Sequence, residues 1–161
     1  MAEKIYKTGL YGGKFMPMHL GHYHCLQTAA RECETVYCIL FYNTPEEYDI
    51  HNKYPNDKTL RLDARVRQLF KVCGYFKNVI PIVLDVSECN GNLNAETHLV
   101  LEACNGQVDA IYGTNINYTD EFKDVYPFAI YRCLDPERKH INISGKELRA
   151  MSCKERKEWL V

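Results

Sequence analysis

The chain has 161 residues, of which 46% are hydrophobic and 25% charged, and its formal net charge is −1. That is the profile of one globular domain with a real core and little room for a second. The near-neutral charge argues against a partner bound through nucleic-acid phosphate, and no apolar run of about 18 residues exists to span a membrane.

Ile5 to Tyr11 reads as a first strand that ends at Gly12-Gly13, and His19 or Leu20 to Glu34 as a helix with Cys25, Leu26, Ala29 and Ala30 on its buried face. Thr35 to Tyr42 is an apolar run of strand length. Asn43 to Lys58 is polar, carries Pro45 and Pro55, and has no clear period, so it reads as a long loop. Thr59 to Cys73 is helical, with Leu62, Val66, Leu69, Phe70 and Cys73 at core spacing. Asn78 to Val86 is a third strand, Asn94 to Cys104 a helix, and Asp109 to Gly113 a fourth strand. A weak helix near Asp120 to Val125, a fifth strand from Phe128 to Arg132, and a terminal helix from Ser144 to about Trp159 complete the chain. This alternation predicts an α/β fold: a doubly wound, mainly parallel five-stranded sheet of Rossmann-like type, in a single domain over residues 1–161. Ligands of such sheets bind at the carboxyl ends of the strands, where the strand order reverses. The eight cysteines include no C-x-x-C pair, and several sit in apolar runs. Buried free thiols are expected, and the charged stretch Met1 to Thr8 lacks the apolar core of a signal peptide. A cytoplasmic location is the expectation.

Two segments carry chemistry. In Gly12-Gly13-Lys14-Phe15-Met16-Pro17-Met18-His19-Leu20-Gly21-His22, two glycines after a strand let the backbone turn and approach a ligand. Lys14 adds a mobile charge. His19 and His22 fall on one face of a helix start, and Gly21 between them removes side-chain bulk where a base or phosphate can sit. In Ile143-Ser144-Gly145-Lys146-Glu147-Leu148-Arg149, Ser144 and Glu147 form the pattern of a capping box. Gly145 and Lys146 offer free N–H groups, and Arg149 can fork onto phosphate oxygens. A capped surface helix is the plain alternative for the second segment. For the first, the plain alternatives are ordinary surface histidines or half of a metal site with His24 and Cys25, and the competing function is a metal-binding or nucleotide-sensing module without turnover built on His19, His22, His24 and Cys25. One helix cannot aim all four at one ion.

The first segment resembles the G-G-x-F-x-P-x-H-x-G-H signature of the nucleotidyltransferase superfamily, and the second its I-S-x-T-x-x-R signature. With Arg65-Val66-Arg67-Gln68-Leu69 and Asp135-Pro136-x-Arg138, the set is similar to the nicotinamide mononucleotide adenylyltransferase domain of bacterial bifunctional adenylyltransferase/ribosylnicotinamide kinase proteins. No Walker-type loop is present, so only the adenylyltransferase half is represented. Lys146 stands where the family usually has Thr, and Gln68 where Trp is frequent.

The resemblance implies transfer of adenylate from ATP to a phosphorylated acceptor, with pyrophosphate leaving, in NAD biosynthesis. An acceptor phosphate is already anionic, so catalysis reduces to positioning and charge neutralisation. It implies catalytic roles for His19, His22, Lys14 and Arg149, and nucleotide binding by Gly12, Gly13, Phe15, Gly21, Ser144, Gly145 and Lys146. Asn43, Arg65, Arg67, Thr114 and Asn115 are candidates for the acceptor, with Arg65 and Arg67 equally readable as surface cations. Mg²⁺ would be held by nucleotide phosphates and not by protein side chains. Partners would be a nucleotide and a phosphorylated acceptor, without nucleic acid or membrane, in a possible homo-oligomer. CTP with a phospho-alcohol, or ATP with pantetheine phosphate, are the alternative substrate pairs.

Overall fold

The computed structural model describes residues 3–115, 117–139 and 141–161. Five strands form one sheet: β1 (Tyr6–Gly13), β2 (Cys33–Tyr42), β3 (Val79–Asp85), β4 (Ala110–Gly113) and β5 (Ile130–Cys133). Their order is β3-β2-β1-β4-β5 and every pairing is parallel. The sheet alternates its side chains between two cores, as a pleated strand must. Tyr11, Cys38, Leu40 and Tyr112 face one core, while Leu10, Ile39 and Ile111 face the other. Helices α1 (Leu20–Glu32) and α3 (Leu62–Cys73) cover the first face. Helices α4 (Leu93–Ala103) and α5 (Tyr118–Val125) cover the second. The expected doubly wound α/β domain is therefore present. The chain builds outward from β1 to β3, then returns to place β4 on the other side of β1. The reversal between β1 and β4 is where a ligand cleft opens in such sheets.

Three expectations about elements are corrected. Asn43 to Lys58 is not a structureless loop, because α2 spans Pro45–Lys53. Thr44 caps it by accepting the Glu47 N–H at 3.2 Å, and Pro45 occupies the first turn, where its missing N–H costs nothing. The helix expected from Thr59 begins at Leu62, after a 3-10 turn over Lys58–Leu60. Its buried stripe is Arg65, Leu69, Val72 and Cys73, and Phe70 is 54% exposed. The terminal helix breaks into α6 (Gly145–Arg149) and α7 (Cys153–Arg156). Ser152 starts the second piece with a full capping box to Glu155. All eight cysteines are free thiols: six are buried, Cys133 is half-buried and Cys153 is exposed.

Candidate functional site

Near the end of β1, at Gly12, a Cβ would lie 2.5 Å from the Phe41 ring, so a side chain there would displace that ring. The chain then turns through Phe15 in the left-handed region (φ 51°) and a cis Met16–Pro17 peptide. Phe15, Met16 and Met18 are buried, so this loop faces a ligand mainly with its backbone and with Lys14. Side chains take up the carbonyls of alternate residues. Arg65 Nη1 donates to Lys14 O at 3.1 Å, Arg149 Nη1 to Met16 O at 3.0 Å, and Gln68 Nε2 to Met18 O at 3.2 Å.

His19 caps α1. Its Nδ1 accepts the Gly21 N–H at 3.0 Å, and His22 Nδ1 accepts the His19 N–H at 3.0 Å. The two rings stack with centroids 3.8 Å apart. A ring whose Nδ1 accepts a hydrogen bond is neutral and carries its proton on Nε2. The electrostatics agree. Burial, with Arg138 and Arg149 adding to it, lowers His19 to about 4. His22 is held well below the ordinary imidazole range by burial first, then by His19, Arg138 and Lys14. The pair thus presents two neutral donors at the helix start, where the dipole also favours an anion. Gly21 serves this arrangement in a way the sequence did not suggest. A Cβ there would sit 2.8 Å from His19 Cε1, so the missing side chain makes room for the His19 ring itself.

A cleft of about 800 Å³ opens at the carboxyl ends of β1 and β4. One part is cationic, with Lys14, Arg138, Lys146 and Arg149 beside His22, Ser144 and Gly145. Ser144 caps α6 by accepting the Glu147 N–H at 3.2 Å. Glu147 answers with its carboxylate to the Ser144 hydroxyl at 2.9 Å, so the expected box is only half formed. Another part of the lining comes from α2, α4 and α5: Glu46, Glu96, Glu121, Tyr118 and Phe122, with Phe41. Burial first, then Glu46, raises Glu96, and Tyr118 is raised by burial and by Glu121, Glu46 and Glu96. A side pocket of about 90 Å³ adjoins the histidines, lined by His19, Gly21, His22, Asp135 and Arg138 among others.

The residues singled out from sequence fall into three places. Gly12, Gly13, Lys14, Phe15, His22, Thr114, Asn115, Ser144, Gly145, Lys146 and Arg149 line the cleft, and His19 and Gly21 line the side pocket. Asn43, Arg65 and Arg67 line neither. Asn43 is half-buried, with Nδ2 donating to Asp85 at 3.1 Å. Arg65 is not a surface cation: it is 1% exposed and pairs with the buried Glu47. Arg67 is a surface cation, 73% exposed and 3.4 Å from Asp63. Arg138, of the Asp135-Pro136-x-Arg138 run, borders both cavities and donates to Ile143 O at 2.6 Å. The acids of α2, α4 and α5 carry no sequence motif, and only the fold gathers them. Among the described residues no group of three or more His, Cys, Asp or Glu is arranged to hold a metal ion. None of the helices described is long and apolar enough to cross a membrane.

The sequence profile of the family described as Cytidylyltransferase-like matches residues 10–151. The chain belongs to this family of nucleotidyltransferases. The phosphopantetheine adenylyltransferase of Mycoplasma mycoides subsp. mycoides SC is 28% identical over 140 residues, 84% of this chain and 91% of that one. Among solved structures, the NadR protein in complex with NAD and AMP-PNP superposes with a TM-score of 0.67 at 19% identity, over 98% of this chain and 46% of that one. A bifunctional NMN adenylyltransferase/ADP ribose pyrophosphatase from Francisella tularensis gives 0.64 at 20% identity, over 97% of this chain and 44% of the other. The chain thus spans less than half the length of these two. A putative nicotinate-nucleotide adenylyltransferase from Vibrio parahaemolyticus gives 0.60 at 14% identity, over 97% and 94% of the two chains. At such identities the family shares its fold with these proteins, and the acceptor is a separate question.

Proposed function

We propose that this nucleotidyltransferase moves adenylate from ATP to nicotinamide mononucleotide and releases pyrophosphate. The observation that carries the reaction is the neutral pair His19 and His22 at the start of α1, beside Lys14, Arg138 and Arg149. In this reading the acceptor phosphate attacks the α-phosphorus. The two Nε2–H groups and the cations stabilise charge that grows on the α- and β-phosphates. Ser144, Gly145 and Lys146 hold the remaining phosphates, Gly12, Gly13 and Phe15 shape the floor of the nucleotide site, and Thr114 and Asn115 flank the acceptor. Mg²⁺ would ride on the triphosphate, because the cationic end of the cleft offers donors and positive charge instead of carboxylates. The acidic and aromatic wall of Glu46, Glu96, Glu121, Tyr118 and Phe122 supports this acceptor. Nicotinamide mononucleotide carries a phosphate at one end and a positively charged ring at the other, which suits a cleft with both kinds of wall.

A second acceptor is favoured by a specific observation, the near full-length likeness to a phosphopantetheine adenylyltransferase. Its long neutral arm would draw little from three carboxylates. Pyrophosphate release with Mg²⁺, measured in parallel for ATP with nicotinamide mononucleotide, nicotinate mononucleotide or phosphopantetheine and for CTP with a phospho-alcohol, decides between them. The proposal expects the first to be fastest. Turnover with phosphopantetheine alone moves the assignment to that acceptor, and turnover only with CTP and a phospho-alcohol removes adenylyl transfer.

A further inference from the structure

We infer that α3 is a positioning element for the nucleotide site, and that Arg65 and Gln68 set the Lys14–Met18 loop without touching the nucleotide. The inference rests on the nucleotide reading proposed above. The two residues lie one turn apart on the same side of α3. Arg65 has a side-chain exposure of 0%, so it cannot reach a ligand in the cleft. Its Nη1 donates to Lys14 O at 3.1 Å and its Nη2 to Glu47. Glu47 is itself fixed: Oε2 accepts the Asn43 N–H at 2.6 Å, and Oε1 lies 3.2 Å from His51 Nε2. Arg65 therefore ties the loop after β1 to the start of α2, where Thr44, Pro45 and Glu46 form the facing wall of the cleft. Gln68 clasps one residue from both sides, its Oε1 accepting Met18 N–H at 3.2 Å and its Nε2 donating to Met18 O at 3.2 Å.

Two physical points favour positioning over plain stability. Carbonyl oxygens are the negative ends of peptide dipoles, and a loop that showed them to a triphosphate would repel it. With the carbonyls of Lys14, Met16 and Met18 engaged by Arg65, Arg149 and Gln68, what the loop offers an anion is the ammonium of Lys14. Buried ion pairs are also weak stabilisers compared with apolar packing. Arg65 moreover leaves its buried Nε–H without an acceptor among the described residues. A side chain kept only for stability would be better replaced by methionine.

The test is a set of double-mutant cycles on the full chain, read as Mg·ATP affinity by calorimetry well below the melting temperature. Lys14→Ala is measured in the unaltered chain and in the Arg65→Lys and Gln68→Met backgrounds. Positioning predicts that Lys14→Ala weakens binding about tenfold in the unaltered chain and less than about twofold in either background, since the ammonium is already misplaced there. An equal loss in all three overturns the inference, because a merely structural α3 would lower stability without coupling to Lys14. If Arg65→Lys does not fold, the Gln68→Met cycle decides alone, since Gln68 lies only half-buried at the loop. An unaltered chain that binds no Mg·ATP sinks the nucleotide reading and this inference with it, an outcome distinct from additive cycles.

Discussion

The loops after β1 and β4 leave neighbouring parallel strands at the same end of the sheet, but they are held very differently. Three side chains from two distant helices fix the carbonyls of the loop after β1. Among its described residues, the loop after β4 leans on itself and on β5. Asn117 N–H and Tyr118 N–H bond back to Asn115, and Tyr131 donates its hydroxyl to Asn115 O at 2.8 Å. A phosphoryl-transfer site needs its donors placed before the substrate arrives, because reorganisation during the reaction raises the barrier. A surface that selects an acceptor tolerates more adjustment. On the proposed reading, the framed loop serves adenylyl transfer and the self-supported loop faces the acceptor.

Breaking the framed side should have the largest effects. His22→Ala removes a donor at the helix start and the acceptor for the His19 N–H, so turnover should fall about a hundredfold, as expected for roughly 3 kcal/mol of transition-state stabilisation. The ring also packs edge-on against Phe15, with centroids 5.0 Å apart, so the melting temperature should drop by a few degrees. A variant with full turnover removes His22 from the chemistry.

Acid should come next. His19 lies at about 4 when folded against an ordinary 6.5, so the unfolded chain binds the extra proton first as pH falls. Its contribution is complete above pH 6.5 and is lost between about 6.5 and 4, up to ~3 kcal/mol. Denaturant titrations across that window should show the loss, while kcat stays level from pH 8 to 6. A fall in kcat through pH 7 that tracks histidine titration contradicts neutral donors.

Gly21→Ala should push the His19 ring off its seat, at about a tenfold loss in kcat with less change in KM, read by steady-state kinetics. The smallest effect belongs to the second motif. Lys146 is exposed at the cleft rim, and Lys146→Thr should weaken ATP binding about two- to threefold at low salt and less at high salt. Equal affinities by calorimetry would make it a solvated cation.

The sheet was legible because parallel strands buried on both faces read as apolar runs, and Thr35 to Tyr42 or Asn78 to Val86 announce themselves. Helix α2 was not, since Pro45 reads as a breaker until Thr44 is recognised as its cap. In α3 the expected Leu69 and Cys73 are buried but Phe70 is not, for a reason no local pattern holds. Arg65 is buried because Glu47, on another helix, supplies the opposite charge, and that turns Phe70 outward. The residues of the cationic site were largely visible in the two motifs. Arg138 and the acids of α2, α4 and α5 were not, because their meeting depends on how loops and helices converge over the sheet.

The first helical amide after His19 carries a further consequence. Leu20 N–H donates to Trp159 O at 2.8 Å, and His19 forms a β-bridge with Leu160. The first motif leaves the ribosome well before Trp159 and Leu160, and this contact waits for them. At roughly 5–20 residues per second that delay is on the order of ten seconds. During it β1, α1 and β2 can pack while the start of α1 still lacks its contact with Trp159 and Leu160.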